Sequence, residues 1–327
     1  MREKKMLTKI FTIIIFLTLI MGEFGVISAQ TKIDKIVFTA GPAGGAWYGL
    51  AGAVAELIKA KYPGIIVTVM PGGGVGNIQL VDAGKAQLGL SISHLYKSGL
   101  EGKDPYTSIH KNVRAILEIG TSDMAIFLIK KSVPIDRIIE IKEKRYPLRL
   151  TTTSKASTPA LGAERLLREY GISFDDLKSW GGNVIFTSYS DAASLIKDGH
   201  ADAIIATTVP AIDELTRMVE MKWLAPEEKV VESLVAKYGY AKNFIDAGKY
   251  RWAPKAGWTV GEPNIIVTRE DMPEDFVFNL TKAICEKPEV IRNWGAHHAH
   301  FDPQKAWKNV GGPLHPGAEK YFKSVGK

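Results

Sequence analysis

The sequence predicts an α/β protein of two similar lobes, each a doubly wound sheet flanked by helices, and three observations carry that prediction. Short apolar runs alternate with amphipathic helical runs from residue 36 onward, an order that calls for helices packed against a parallel sheet. A helix–strand pattern near residue 80 returns near residue 195. The chain of 327 residues also lies where a single hydrophobic core stops growing and a second begins.

Taken in order, Ile36-Val37-Phe38-Thr39 reads as a buried strand and Gly41 to Gly45 as a glycine-rich turn. Trp47 to Ala60 reads as a helix with Leu50, Val54, Leu57 and Ile58 on one face. A strand at Ile65 to Met70 follows, then a glycine turn at Pro71 to Gly76, a helix at Asn77 to Ala83 and a strand at Leu88 to Ile92. Leu80 to Ser91 then aligns with Leu195 to Ala206: in both stretches a helix closes on glycine, Gly84 or Gly199, and a short apolar strand starts at once. Glycine suits that place because it adopts the left-handed conformation without a Cβ clash. Hydroxyls end both copies, Ser91 and Ser93 in one, Thr207 and Thr208 in the other.

The second lobe is expected to open at Leu148 to Thr151 and to continue through a helix at Pro159 to Glu169. Ile265-Ile266-Val267 reads as a late strand returning to the first lobe, and Pro273 to Trp294 as helices covering it. Lobe 1 is thus assigned residues 31–125 and 255–327, and lobe 2 residues 126–254, with crossings near 122–128 and 250–258. Ligands of open α/β sheets sit beyond the carboxyl ends of the strands, so the turns after the strands should face one another across a cleft.

Ahead of the lobes, Arg2, Lys4, Lys5 and Lys9 precede an uncharged run from Ile10 to Met21, and Ser28-Ala29-Gln30 supplies small residues. Residues 1–29 read as a secretory signal peptide, because that run is shorter than the roughly 20 residues a membrane-spanning helix needs. The product is expected to be exported, in the periplasm or at the extracytoplasmic face of the membrane, and to be a monomer. Cys285 is the one cysteine and lies in an amphipathic helical run, so it reads as a buried, inert thiol. The formal charge of +7 is scattered among acids. That pattern excludes a nucleic-acid partner and is compatible with drawing in an anion.

Gly41 to Gly49 places backbone N–H groups at a helix N-terminus, where partial positive charge favours a carboxylate or phosphate; a tight turn made for packing is the alternative. A dinucleotide fingerprint would need an acid near the end of the next strand, which instead reads Thr68-Val69-Met70-Pro71. No glycine turn carries the Gly-Lys-Ser/Thr of a phosphate-binding loop, and no Gly-x-Ser-x-Gly elbow occurs. In the turn Gly72 to Asn77, Asn77 either caps the helix or offers its amide to a ligand. The hydroxyls of Thr152, Thr153, Ser154, Ser157 and Thr158 either cap a helix or bind. His297, His298, His300 and Asp302 lack zinc-site spacing, so no metal is expected. Of the tryptophans, Trp47, Trp252 and Trp258 fall at the glycine turn or the proposed crossing.

Three stretches resemble the TAXI family, the solute receptors of one branch of the tripartite ATP-independent periplasmic (TRAP) transporters. They are Gly44-Gly45-Ala46-Trp47-Tyr48; Gly73-Gly74-Val75-Gly76-Asn77 leading into Ala83-Gly84-Lys85-Ala86-Gln87-Leu88; and Pro313-Leu314-His315-Pro316-Gly317-Ala318. The resemblance implies a two-lobed periplasmic-binding fold, type II-like and hinged. It also implies closure around an organic anion, such as a dicarboxylate or an acidic amino acid, and delivery to TRAP permease subunits. The family's ligand-contacting turns would fall on Gly45, Trp47, Tyr48, Asn77 and Ser93. One departure stands out: relatives carry a Gly-x-Gly-Ser-Gly-Thr turn where this chain reads Thr152 to Pro159, with Lys155 pointing to the site or to solvent.

Together these readings give a non-enzymatic receptor without a cofactor. Its expected ligand-binding residues are Gly44, Gly45, Ala46, Trp47, Tyr48, Gly74, Asn77, Ser93, Ser154, Ser157 and Thr207. Loss of the Asn77 amide is expected to weaken binding at least tenfold. An exported enzyme acting on a small acid, and a soluble sensor for a membrane histidine kinase, are the rival classes.

Overall fold

Two mixed β-sheets flanked by helices make up the computed structural model, which describes residues 33–42, 45–295 and 298–327. The signal-peptide reading of residues 1–29 lies outside them. The first lobe is entered through β1 (Lys35–Thr39), α1 (Ala46–Lys61), β2 (Ile66–Met70), α2 (Gly74–Asp82), β3 (Leu88–Ile92) and α3 (Ser93–Glu101). β4 (Val113–Met124) leads out of it, and β5 (Ile126–Lys130), α4 (Ile139–Glu143), β6 (Arg149–Thr153), α5 (Thr158–Glu169) and α6 (Phe174–Ser179) follow. Next come β7 (Asn183–Thr187), α7 (Tyr189–Lys197), β8 (Ala203–Ala206), α8 (Pro210–Met218), β9 (Met221–Trp223) and α9 (Glu228–Tyr238). The chain returns through β10 (Ala241–Ile245) and β11 (Gly257–Arg269) to α10 (Glu274–Glu286), α11 (Glu289–Arg292) and α12 (Pro316–Ser324).

The repeat seen in the sequence is a repeat of structure. β1 pairs in parallel with β2 and β3, and β6 pairs in parallel with β7 and β8. The two helix-to-strand turns match bond for bond: Gly84 N–H reaches Val81 O and Lys85 N–H reaches Leu80 O, while Gly199 N–H reaches Ile196 O and His200 N–H reaches Leu195 O. Both glycines are left-handed, with φ of 70° and 83°, so a Cβ at either position would strain the turn. β3 has both of its faces covered, and Leu88, Leu90 and Ile92 are fully buried. That is why it reads as a continuous apolar run rather than an alternating one.

The sheets are mixed, not parallel throughout. β11 runs antiparallel to β3, β4 and β10, and β5 runs antiparallel to β8 and β9. The reason is topological, because β4 and β11 are long strands that run between the lobes. Val113 of β4 lies in the first core and Met124 in the second; Ile265 of β11 lies in the first and Val260 in the second. The return crossing therefore falls at Val260–Asn264, later than the 250–258 expected, since Trp252 and Ala253 pack in a third cluster against Ile126, Ala192 and Ile212. Ala125, with φ of 58°, turns the chain from β4 into β5; an alanine there carries about 1–2 kcal/mol of left-handed strain. Among the described residues no helix is long and apolar enough to cross a membrane.

Candidate functional site

Equivalent turns of the two halves meet around one cavity. From the first lobe come Gly41, Pro42, Gly45, Ala46 and Trp47 at the start of α1, with Gly73 and Gly74 at the start of α2. From the second come Ser157, Thr158 and Pro159 at the start of α5, Tyr189 at the start of α7, and Thr207 and Val209 beyond β8. Ser122, Glu262 and Asn264 on the crossing strands close the floor. The space is about 430 Å³ counting its opening to solvent, but only about 30 Å³ of it is free to a water molecule, so with the halves this close there is room for little more than water.

Four helices thus aim their N-terminal ends at one volume. Unpaired N–H groups and the aligned peptide dipoles make such ends favourable for an anion. α1, α2 and α5 carry no acid in their first turns, and no side chain caps α1 or α2. α5 is capped by Ser157, whose Oγ accepts from Ala160 N–H at 3.3 Å. Ser157 Oγ also lies 2.5 Å from Thr153 Oγ1, so this hydroxyl serves as a cap and lines the cavity as well.

Of the residues singled out in the sequence, Gly45, Ala46, Trp47, Gly74, Ser157 and Thr207 come together on the cavity. Gly44 lies outside the described residues. Tyr48 is on an exposed part of α1, Ser93 starts α3, and Ser154 is exposed, its carbonyl accepting from Ser157 N–H. None of these three lines the cavity. Lys155 lies over the Phe186 ring at 5.3 Å, at a groove outside the cavity.

Asn77 is fully buried and its amide is spent on the backbone. Oδ1 accepts from Gly73 N–H at 3.1 Å, and Nδ2 donates to Ala40 O at 2.6 Å and Leu90 O at 2.7 Å. One side chain therefore ties the ends of β1 and β3 to the turn before α2. Removing it orphans several buried polar groups at roughly 1–3 kcal/mol each. Asn77→Ala is expected to lower unfolding free energy by about 2–4 kcal/mol, read as a fall in the urea midpoint at unchanged slope; a midpoint within error of wild type would refute the tie.

Glu262 and Asn264 were not legible as site residues. They sit two apart on β11, so they share a face, ahead of the apolar run Ile265–Val267. Polar residues at period two in an otherwise buried strand were the available signal. Asn264 Oδ1 accepts from Trp47 Nε1 at 3.1 Å, and its Nδ2 donates to Ser122 Oγ at 2.7 Å and Gly120 O at 2.9 Å. Trp47 is thereby fixed against the floor. Glu262 is 1% exposed, and its Oε1 is buried without a hydrogen-bond partner. Burial pushes its carboxyl up to about 8, with the Arg165 guanidinium pulling the other way.

The lobes touch around the cavity. Gly76 N–H donates to Ala156 O at 3.2 Å. Arg165 on α5, 1% exposed, reaches the Asp104 carboxylate of the first lobe at 2.7 Å and lies over the Tyr238 ring at 4.2 Å. His94 on α3 packs against Tyr240 with ring centroids 4.5 Å apart and the rings tilted by 58°. This is a closed arrangement of the two halves.

Other sequence readings fall away from the cavity. Cys285 is buried, and burial raises its thiol to about 12, too high for a nucleophile at neutral pH. His297 lies outside the described residues, His298 is buried with Nδ1 2.6 Å from Ile119 O, and His300 is exposed. Among the described residues no group of three or more His, Cys, Asp or Glu is placed to hold a metal ion.

The chain has the two-lobed fold seen in periplasmic solute-binding proteins. It belongs to the NMT1-like family, which it matches over residues 38–326. Among solved structures it is similar to MatC from Rhodopseudomonas palustris with bound malate, at 13% identity and a TM-score of 0.52 over 89% of this chain and 97% of that one. It is also similar to a TctC solute-binding protein from Polaromonas, at 17% identity and a TM-score of 0.48 over 89% and 97% of the two chains. The alkanesulfonate-binding protein SsuA from Xanthomonas axonopodis pv. citri, bound to MOPS, matches at 11% identity and a TM-score of 0.49 over 89% and 83%.

Proposed function

We propose that this protein is an exported, non-enzymatic receptor that closes its lobes on a small organic anion and presents it to a TRAP-type membrane transporter. The convergence of four helix N-termini from both halves on one cavity is the observation that carries this reading. A carboxylate bridging α1 and α5 would hold the halves together, so that binding and closure are one population shift. Charge-assisted hydrogen bonds contribute about 1.5–3 kcal/mol each, so three or four suffice for micromolar affinity after closure costs. The likeness to the TAXI receptors and the basic, then apolar N-terminus support export and the TRAP partner. A dicarboxylate of the size of malate is the first ligand to try, since the malate-bound MatC shares the fold.

Native mass spectrometry of freshly purified protein should show a retained small acid, released intact on denaturation. Calorimetric titration of stripped protein with malate, succinate and glutamate should then give at least one one-to-one isotherm. A stripped protein that binds no acid, or one that converts the acid on long incubation, would overturn the proposal.

A further inference from the structure

Glu262 places a carboxyl on the floor of a cavity built to receive an anion. Its Oε1 has no hydrogen-bond partner, and the polar groups beside it are otherwise engaged. Asn264 is committed to Trp47, Gly120 and Ser122. Across the β4–β11 ladder Glu262 faces Ser122, whose Oγ takes the Asn264 amide.

The titratable groups that face Glu262 come from three other elements. Arg165 on α5 is the cation that acts on it, and that guanidinium is already bonded to Asp104 and Tyr240. Tyr189 at the start of α7 and Tyr240 before β10 are buried phenols held neutral by burial. No base among them takes up its proton, and no ammonium or guanidinium is bonded to it. An anion brought into the same small, dry space repels a carboxylate strongly, because water screens little there. The two acids can share the site only with a proton between them.

We propose that Glu262 contacts the bound anion as a neutral carboxylic acid, donating its O–H to a ligand oxygen, so that capture of the anion is coupled to retention of one proton. The inference rests on the anion-receptor reading above. Where Glu262 is already protonated, the ligand binds without exchange. Above the carboxyl's own ionisation, raised by burial to about 8, each anion bound takes one proton from solvent. A buried carboxylic acid kept neutral in order to donate is an established device for holding a negative oxygen.

The test is malate titration from pH 6 to 9.5 in two buffers of different ionisation enthalpy. Proton uptake per malate should be near zero at pH 6.5 and approach one at pH 9, with affinity falling about tenfold per pH unit above the ionisation. Glu262→Gln keeps a donor but exchanges no proton, so its affinity should lose this slope and fall within about tenfold of wild type at pH 6.5. Carbon NMR of protein labelled at the Glu side-chain carboxyl carbon, with the Glu262 signal assigned by its loss in that variant, should show the acid protonated at pH 7 without ligand. An ionised Glu262 at pH 7 in the free protein and in the complex overturns the inference. So does tight binding of glutamate with proton release and abolition by Glu262→Gln, which would pair Glu262 with the ligand's ammonium. If no acid binds at any pH, the receptor reading fails by itself, while the NMR titration still decides the protonation of Glu262.

Discussion

Gly73→Ala is expected to abolish tight ligand binding while leaving both lobes folded. A Cβ at Gly73 would stand 2.5 Å from Ser157 Cα, 2.7 Å from Ala156 O and 2.9 Å from Ser157 N, all backbone of the opposite lobe. Backbone atoms have no rotamer by which to move aside, so the clash is relieved by keeping the lobes apart. Within its own lobe the substitution is innocuous, because Gly73 is extended, with φ of −172°, a conformation open to any residue. Affinity for the retained acid should fall at least about 100-fold, or roughly 3 kcal/mol, with the unliganded melting transition little changed. Gly52→Ala is the control, since a Cβ there meets nothing within 4 Å; it should bind as wild type. A folded Gly73→Ala protein with wild-type affinity would mean that closure along this seam is not part of binding.

The seam was foreseeable because the repeat was. Leu80–Ser91 and Leu195–Ala206 predict two equivalent helix-to-strand turns, and equivalent halves place equivalent helix ends on a common cleft. Gly45, Trp47, Gly74, Ser157 and Thr207 follow from that local logic, being short-range features of a strand, a turn and a cap. What local logic missed came from elsewhere in the chain. Glu262 and Asn264 arrive on the return crossing, more than 200 residues from Trp47, and nothing in their immediate neighbours reveals which space they face. Asn77, readable as a helix cap or as a ligand donor, turns to the backbone for the opposite reason. An amide in a glycine turn reads as a ligand donor, yet the glycines themselves leave a backbone N–H that needs an acceptor, and Asn77 supplies it. Mixed strand direction likewise followed from β4 and β11 spanning both lobes, a property of the whole fold rather than of any window of sequence.

His94→Phe is expected to remove much of the protein's acid sensitivity. His94 is buried against Tyr240 at the meeting of the lobes, and neither ring nitrogen has a hydrogen-bond partner. Burial lowers its pKa to about 3, and the Arg165 guanidinium pushes in the same direction. In the unfolded chain the imidazole takes a proton near 6.5. Between those values the unfolded state binds more protons than the folded one, so stability is fully present above about pH 6.5 and is lost as pH falls towards 3. At pH 5 the loss from this residue is about 2 kcal/mol relative to neutral pH. Phenylalanine keeps the ring contact with Tyr240 and has no proton to accept. Urea midpoints of the two proteins should therefore agree in slope at pH 7.5 and diverge on acidification, with the wild type losing about 2 kcal/mol more by pH 5. Other titrating groups are common to both proteins and cancel in the difference. Parallel pH profiles of stability in the two proteins would show that His94 is protonated at little cost, and would remove it as the acid-labile contact between the halves.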